Sequence, residues 1–327
     1  MKKARLPSGT HERPTGALLF VASTGGHLEQ LTKLAREFDV SSATKWVTFD
    51  TEQSRSLLRD EDVIFVPYIS PRDWRNAVKS LPVFVKAMRS GSYDAVVSTG
   101  AAIAMPALLT ARIFGTRALY IESVSRVAGP SLTGRLLQRL RILGVELYTQ
   151  HRSWSSPIWR YDLSLLGRLE NRPRTAKRLP AEARTFHVFV TLGTINPYRF
   201  DALLDAIVES TRRSMNRFQF TWQLGCTTRN DLPGLSVPQL SAQEFEQVLL
   251  ESDIVISHAG VGSCIRMLEL GIVPTIVPRR SKRGEHVDDH QEQIAEALSS
   301  LGFALKFEAH EIDLDVIVDD LRRWPPL

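Results

Sequence analysis

The chain is poor in cysteine: Cys226 and Cys264 are the two it has in 327 residues, far apart and in no CxxC spacing. That excludes a disulfide framework and a cysteine-based zinc site, and it suits a reducing cytosol. No apolar stretch reaches membrane-spanning length. The longest apolar helix candidate, 101–114, carries Thr110 and Arg112 and is too short to cross a bilayer. No secretory signal is expected, since the first fifteen residues are polar and the apolar run after them stops at Ser23 and the glycines. RNP-type and zinc-finger signatures are also missing, so nucleic acid is not an expected partner.

What is present is an ordinary globular composition, 43% hydrophobic and 24% charged, at a length that favours about two domains of roughly 150 residues. The net charge of +5 hides an asymmetry. Residues 1–180 hold 27 Lys and Arg against 15 Asp and Glu, a net +12; residues 181–327 hold 14 against 21, a net −7. The basic half favours an anionic partner such as a membrane surface or phosphate, although a solvated basic face has the same composition.

Apolar strands alternate with helical spacing, which predicts parallel, doubly wound α/β sheets. Strands are expected at 16–23, 44–50, 62–70, 93–100, 116–123 and 144–151. Helices are expected at 25–38, 51–60, 73–91 (kinked at Pro82), 101–114 and 131–141. Residues 167–184, "GRLENRPRTAKRLPAEAR", are charged, hold two prolines and lack an apolar period, so they read as a linker. The rhythm then restarts with a strand at 186–192, a helix at 199–213, strands at 218–225 and 235–240, a helix at 242–251, and helices at 287–301 and 313–324. The expected organisation is a disordered tail over 1–15, a domain over 16–166, the linker, a second domain over 185–312, and a terminal helix over 313–327.

Two strand–glycine–helix turns stand out. In "DIVISHAGVGSCIRMLELGIVPTIVP" (253–278), His258, Gly260, Gly262 and Ser263 sit where a strand meets a helix. Backbone N–H groups and the helix dipole there suit a diphosphate, and a ligand-free tight turn has the same residues. In "ASTGGHLEQL" (22–31), Gly25 and Gly26 precede His27. An imidazole there can take a proton from a hydroxyl, or simply face solvent. Glu122 ends a strand, where catalytic groups of α/β sheets collect, and Arg126, Arg135 and Arg139 follow it. "GEHVDDHQEQIAEAL" (284–298) offers His286, Asp288, Asp289 and His290. These read as a metal cluster, as carboxylates offsetting a helix dipole, or as polar groups for sugar hydroxyls. Segment 73–91 mixes Trp74, Arg75, Lys79, Val83, Phe84, Lys86 and Arg89, a pattern shared by interfacial and packed amphipathic helices.

"ISHAGVGSCIRMLELG" followed by "PRRSKRGEHVDDHQEQIAEAL" resembles the donor-binding half of the two-subunit GlcNAc transferases of lipid-linked oligosaccharide synthesis and of bacterial exopolysaccharide transferases. "VASTGGH", "VVSTGAAIAMPALL" and "YIESVSRVAGPSLTGRLL" resemble the other subunit. The chain thus resembles both subunits fused, acceptor half first, in a MurG-like, GT28-like family, over residues of about 16–310. The resemblance implies a GT-B fold, with two Rossmann-like domains facing a central cleft, and an inverting, metal-independent hexosyltransferase without cofactor. It implies a UDP-sugar donor and a polyprenyl-diphosphate-linked acceptor. The setting would be exopolysaccharide or cell-surface glycan synthesis at the cytoplasmic face of the membrane, beside other polysaccharide-synthesis enzymes. By match, Gly260, Gly262 and Ser263 face the donor diphosphate with His258 alongside. Gly193 and Thr194 line the cleft, and Asp289, His290 and Gln291 meet sugar or nucleotide. Gly25, Gly26, Thr99, Gly100 and Arg126 serve the acceptor, with His27 as base and Glu122 as second candidate. The family's usual ribose-binding Glu, three residues after the Gly-Ser, is here Arg266; either Glu269, one turn later, substitutes for it, or Arg266 meets a donor carboxylate or phosphate, which favours a UDP-hexuronate donor. A transferase for a soluble acceptor and a non-catalytic partner subunit are the alternatives.

Overall fold

A computed structural model describes residues 13–70, 73–170, 179, 185–193, 198–212, 215–286 and 290–324. The expected tail therefore lies outside them over 1–12, and most of the expected linker over 171–178 and 180–184. The chain divides into two compact units. The first comprises Met1–Ser123, Pro130–Thr149 and Ser155–Leu163; the second comprises Val124–Gly129, Gln150–Trp154 and Ser164–Leu327.

In the first unit the elements are β1 (Leu18–Ala22), α1 (Gly26–Ala35), β2 (Lys45–Phe49), α2 (Glu52–Leu57), β3 (Val63–Val66), α3 (Trp74–Lys79), α4 (Leu81–Ser90), β4 (Ala95–Gly100), α5 (Ala104–Ile113), β5 (Arg117–Ile121), α6 (Leu132–Arg139), β6 (Val145–Tyr148) and β7 (Trp159–Arg160). The strands form one parallel sheet in the order β3-β2-β1-β4-β5-β6-β7. Every residue of β1 and β4 is buried, as expected for central strands covered on both faces. α1 lays Leu28, Leu31 and Leu34, all fully buried, against the sheet at helical spacing. Ser131 caps α6 by accepting from the Gly134 N–H, and Thr51 closes a capping box on α2.

The second unit contains α7 (Leu165–Glu170), β8 (Phe186–Thr191), α8 (Asp201–Thr211), β9 (Phe218–Gln223), β10 (Leu235–Val237), α9 (Ala242–Glu251), β11 (Ile254–Ser257), α10 (Val261–Glu269), β12 (Thr275–Ile276), α11 (His290–Ser300), β13 (Leu305–Lys306) and α12 (Leu314–Arg323). Its parallel sheet runs β10-β9-β8-β11-β12-β13. The core gathers Phe186, Phe200, Trp222, Ile254 and Ile317, and Trp222 satisfies its indole N–H on the Pro233 carbonyl at 2.7 Å.

In both sheets the strand order reverses beside the first strand, between β1 and β4 and between β8 and β11. These are the switch points at which α/β sheets open a crevice beyond the carboxyl ends of their strands.

Three expectations change. The helix at 73–91 is two helices separated at Ser80, whose hydroxyl donates to the Ala77 carbonyl at 2.6 Å. Pro82 stands in the first turn of α4, where its missing N–H costs nothing. It therefore starts a helix and does not kink one. Strand 62–70 shrinks to β3, which pairs only with β2 at the sheet edge. Phe84, read as part of an interfacial face, is 1% exposed in the core.

Candidate active site

In the first unit the switch point holds His27 and Thr99. His27 lies in the first turn of α1, half-buried. Its Nδ1 is 2.8 Å from the Thr99 carbonyl. A carbonyl only accepts, so Nδ1 carries a proton, and in the neutral ring Nε2 is then the accepting nitrogen, the form a general base needs. The Thr99 hydroxyl donates back to the His27 carbonyl at 2.8 Å. Gly100, with φ of 123°, packs on the ring: a Cβ there would sit 3.0 Å from His27 Cε1. Gly25 and Gly26 are exposed, and the Gly25 N–H donates to Gln53 Oε1 at 2.6 Å.

Glu122 follows β5 and is 1% exposed. Its carboxylate accepts from the Ser131 N–H (2.8 Å) and hydroxyl (3.0 Å), the Ser123 N–H (3.1 Å) and the Tyr120 hydroxyl (3.1 Å). This is the bonding of a group that ties the start of α6 to the end of β5.

In the second unit, β11 ends at Ser257 and α10 begins at Val261 with Gly260 as N-cap and no side-chain cap bond. Gly262 and Ser263 occupy the first turn of α10. His258 is 7% exposed, and its Nδ1–H donates to the Thr191 carbonyl at 3.1 Å. Burial first, then the Arg279 charge, pushes its pKa down to about 3, so the ring is neutral at ordinary pH. A Cβ at Gly260 would meet His258 Nε2 at 2.5 Å, which accounts for glycine at that position. Gly193, at the end of β8, is buried, and a Cβ on it would collide with the Arg279 guanidinium.

One feature is common to both switch points. Ala101, after β4, and Ala259, after β11, have φ of 65° and 59°, a left-handed conformation that alanine adopts at a cost of about 1–3 kcal/mol. The turn geometry is held against local preference in both units.

Gln291 is 8% exposed, and its Oε1 accepts from the Arg279 N–H at 3.1 Å and Nε–H at 3.3 Å. Within the second unit Arg126 and His290, read as acceptor and donor residues, are hydrogen-bonded to each other, and the Trp154 indole donates to the Arg126 carbonyl at 3.0 Å. Arg266 is ion-paired to Glu246 and, at 3.5 Å, to Glu269. The residue that departs from the resembled pattern is thus committed to neighbouring carboxylates, one of them the expected substitute. Thr194, Asp288 and Asp289 lie outside the described residues. Sequence reasoning passed over Arg279, whose signal is a charged residue closing the buried run "PTIVPR".

Residues 187–320 match the glycosyltransferase family 28 C-terminal domain. The match lies within the second unit. Among curated relatives, the UDP-N-acetylglucosamine transferase subunit ALG13 of Cryptococcus neoformans is 34% identical over 84 residues, 25% of this chain and 40% of the relative. The chain thus matches about two fifths of that relative's length. The UDP-N-acetylglucosamine–N-acetylmuramyl-(pentapeptide) pyrophosphoryl-undecaprenol N-acetylglucosamine transferase of Chlorobaculum tepidum is 24% identical over 263 residues, 75% of this chain and 68% of the relative. Among solved structures, Acinetobacter baumannii MurG superposes with a TM-score of 0.58 at 17% identity, covering 95% of this chain and 89% of that one. That likeness shows a GT-B fold: two Rossmann-like parallel sheets with helices. Among the described residues no helix is long and apolar enough to cross a membrane.

Proposed function

We propose that this protein is a glycosyltransferase that moves a hexose or hexuronic acid from a UDP-sugar to a polyprenyl-diphosphate-linked sugar, with inversion, at the cytoplasmic face of a membrane during exopolysaccharide or cell-surface glycan synthesis. The observation that carries the reading is a coincidence in the second unit. The family 28 match spans the same sheet whose switch point bears a glycine-capped helix N-terminus. Free N–H groups and the helix dipole there suit the diphosphate of a nucleotide sugar. The relatives' names add the chemistry, since both act on UDP-N-acetylglucosamine and one on a pyrophosphoryl-undecaprenol substrate.

In this reading His27 Nε2 takes the proton of the attacking hydroxyl, a step worth roughly 10²–10⁴-fold. The α10 N-terminus stabilises the charge growing on the departing UDP. Glu122 holds the turn that precedes α6. A membrane-facing surface is supported in the first unit by Tyr68 and Val78, which are 64% and 59% exposed, beside exposed Arg75, Lys79, Lys86 and Arg89.

The test has two arms. Thermal-shift screening against UDP-glucuronate, UDP-galactose, UDP-glucose and UDP-N-acetylglucosamine should raise the melting temperature with at least one of them; no shift with any overturns the donor reading. Flotation with anionic vesicles should carry the protein upward, and Val78→Glu with Lys79→Glu should release it. A protein that binds UDP-sugars and ignores vesicles is a transferase for a soluble acceptor.

A further inference from the structure

Arg279 and Arg280 follow β12 side by side and are treated very differently. Arg280 is ion-paired to Glu292 and Glu308, and its N–H donates to Glu285 at 2.8 Å. Arg279 is 1% exposed, among the largest fully buried side chains of the protein. Its hydrogen-bond partners are neutral: Gln291 Oε1 on Nε, and the Tyr198 carbonyl on Nη1 at 3.3 Å. Among the described residues it forms no ion pair with a carboxylate. Burial pulls its pKa down, and the neighbouring Cys226 and Glu285 offset this only in part.

A buried cation is normally paired, because desolvation is costly. One left without a counter-ion is suited to a ligand that supplies it. The position fits. The guanidinium lies against Gly193, where any Cβ would strike it. It also acts electrostatically on His258, the residue on which Gly260, the cap of α10, is packed. The ends of β8, β11 and β12 thus converge on one positive charge, beside the switch point and the helix N-terminus.

We propose that Arg279 is a positioning residue for a nucleoside diphosphate, a fixed and desolvated positive charge beneath Gly193 that sets the affinity for the diphosphate without contributing to recognition of the nucleoside. This rests on the donor reading above and adds a residue to it. Gln291 is then the arm that holds the guanidinium in place, and neutral His258 a filler that does not compete for the anion.

The experiment is calorimetric titration of the full chain with UDP, uridine and inorganic pyrophosphate. Arg279→Met should weaken UDP and pyrophosphate at least tenfold and leave uridine within about twofold; Arg279→Lys, which keeps the charge, should restore most of the loss. If Arg279→Met fails to fold, Gln291→Glu serves instead. It sets a carboxylate on the guanidinium and should weaken UDP and pyrophosphate while sparing uridine. Equal losses for UDP and uridine, or unchanged UDP affinity, overturn the proposal. Wild-type protein that binds pyrophosphate through Arg279 but neither UDP nor uridine upholds Arg279 and overturns the nucleotide reading. Wild-type protein that binds none of the three overturns both.

Discussion

His27 and Thr99 hold each other from both ends, with Nδ1–H of the imidazole on the Thr99 carbonyl and the Thr99 hydroxyl on the His27 carbonyl, each at 2.8 Å. The pair joins the start of α1 to the end of β4 across the switch point of the first sheet. It also sets which ring nitrogen carries the proton, and so turns an ordinary histidine into one with a defined accepting nitrogen.

His27→Ala is therefore expected to cut kcat by at least a hundredfold, the order of a lost general base, while the UDP dissociation constant stays within a few-fold. Thr99→Val keeps the carbonyl that orients Nδ1 and loses only the returning bond. It should cost about 1 kcal/mol of stability and reduce kcat by about tenfold or less. Normal turnover in His27→Ala would remove His27 from the chemistry.

Glu122 gives a contrasting expectation. The donors from Tyr120, Ser123 and Ser131 make the carboxylate the acceptor hub of the turn between β5 and α6. Glu122→Gln presents an amide NH2 to one of those donors and should destabilise the first unit by about 1–3 kcal/mol. The pH–rate profile of the remaining folded enzyme should keep its shape. If Glu122→Gln instead abolishes kcat at unchanged stability, the base is Glu122.

His258 makes a prediction about acid. Its folded pKa of about 3 lies below the ordinary histidine value of 6.5 that holds in the unfolded chain, so the unfolded state binds the proton first. The associated stability is complete above pH 6.5 and is lost as pH falls from 6.5 towards 3. At pH 5 the loss is about 2 kcal/mol. His151, also buried and shifted downward, adds in the same direction. Urea midpoints measured from pH 8 to pH 5 should fall in the wild type and fall less steeply in His258→Gln. Parallel slopes would mean that His258 is not the neutral buried group described.

The strand–helix rhythm and the two glycine turns could be read from the sequence, because period and turn chemistry are local. Gly25, His27, Gly260 and Gly262 could be placed at helix starts for that reason. The break at Ser80 was hidden because both helices share one apolar spacing, although Pro82 in a first turn is a start signal. The end of β3 depends on a missing neighbour at the sheet edge, and such pairing is not local. Arg279 illustrates the deeper limit. Nothing in "VPRRSK" says which arginine is buried; only the packing of Gly193, Tyr198 and Gln291 around one guanidinium does.

The last expectation concerns metal. A departing UDP needs its growing charge neutralised, and many transferases could meet that need with a bound divalent cation. Here the proposed donor site already has the N–H groups of α10, its dipole and the buried charge of Arg279, all fixed before the reaction and so without reorganisation cost. Turnover should therefore persist within about twofold after dialysis against EDTA and should not rise with added Mg²⁺ or Mn²⁺. In Arg279→Met, which lacks one of those charges, added Mg²⁺ should recover part of the activity by supplying a mobile substitute. Loss of wild-type turnover in EDTA, restored by Mg²⁺ or Mn²⁺, would defeat this reading and return attention to His286, Asp288, Asp289 and His290 as ligands.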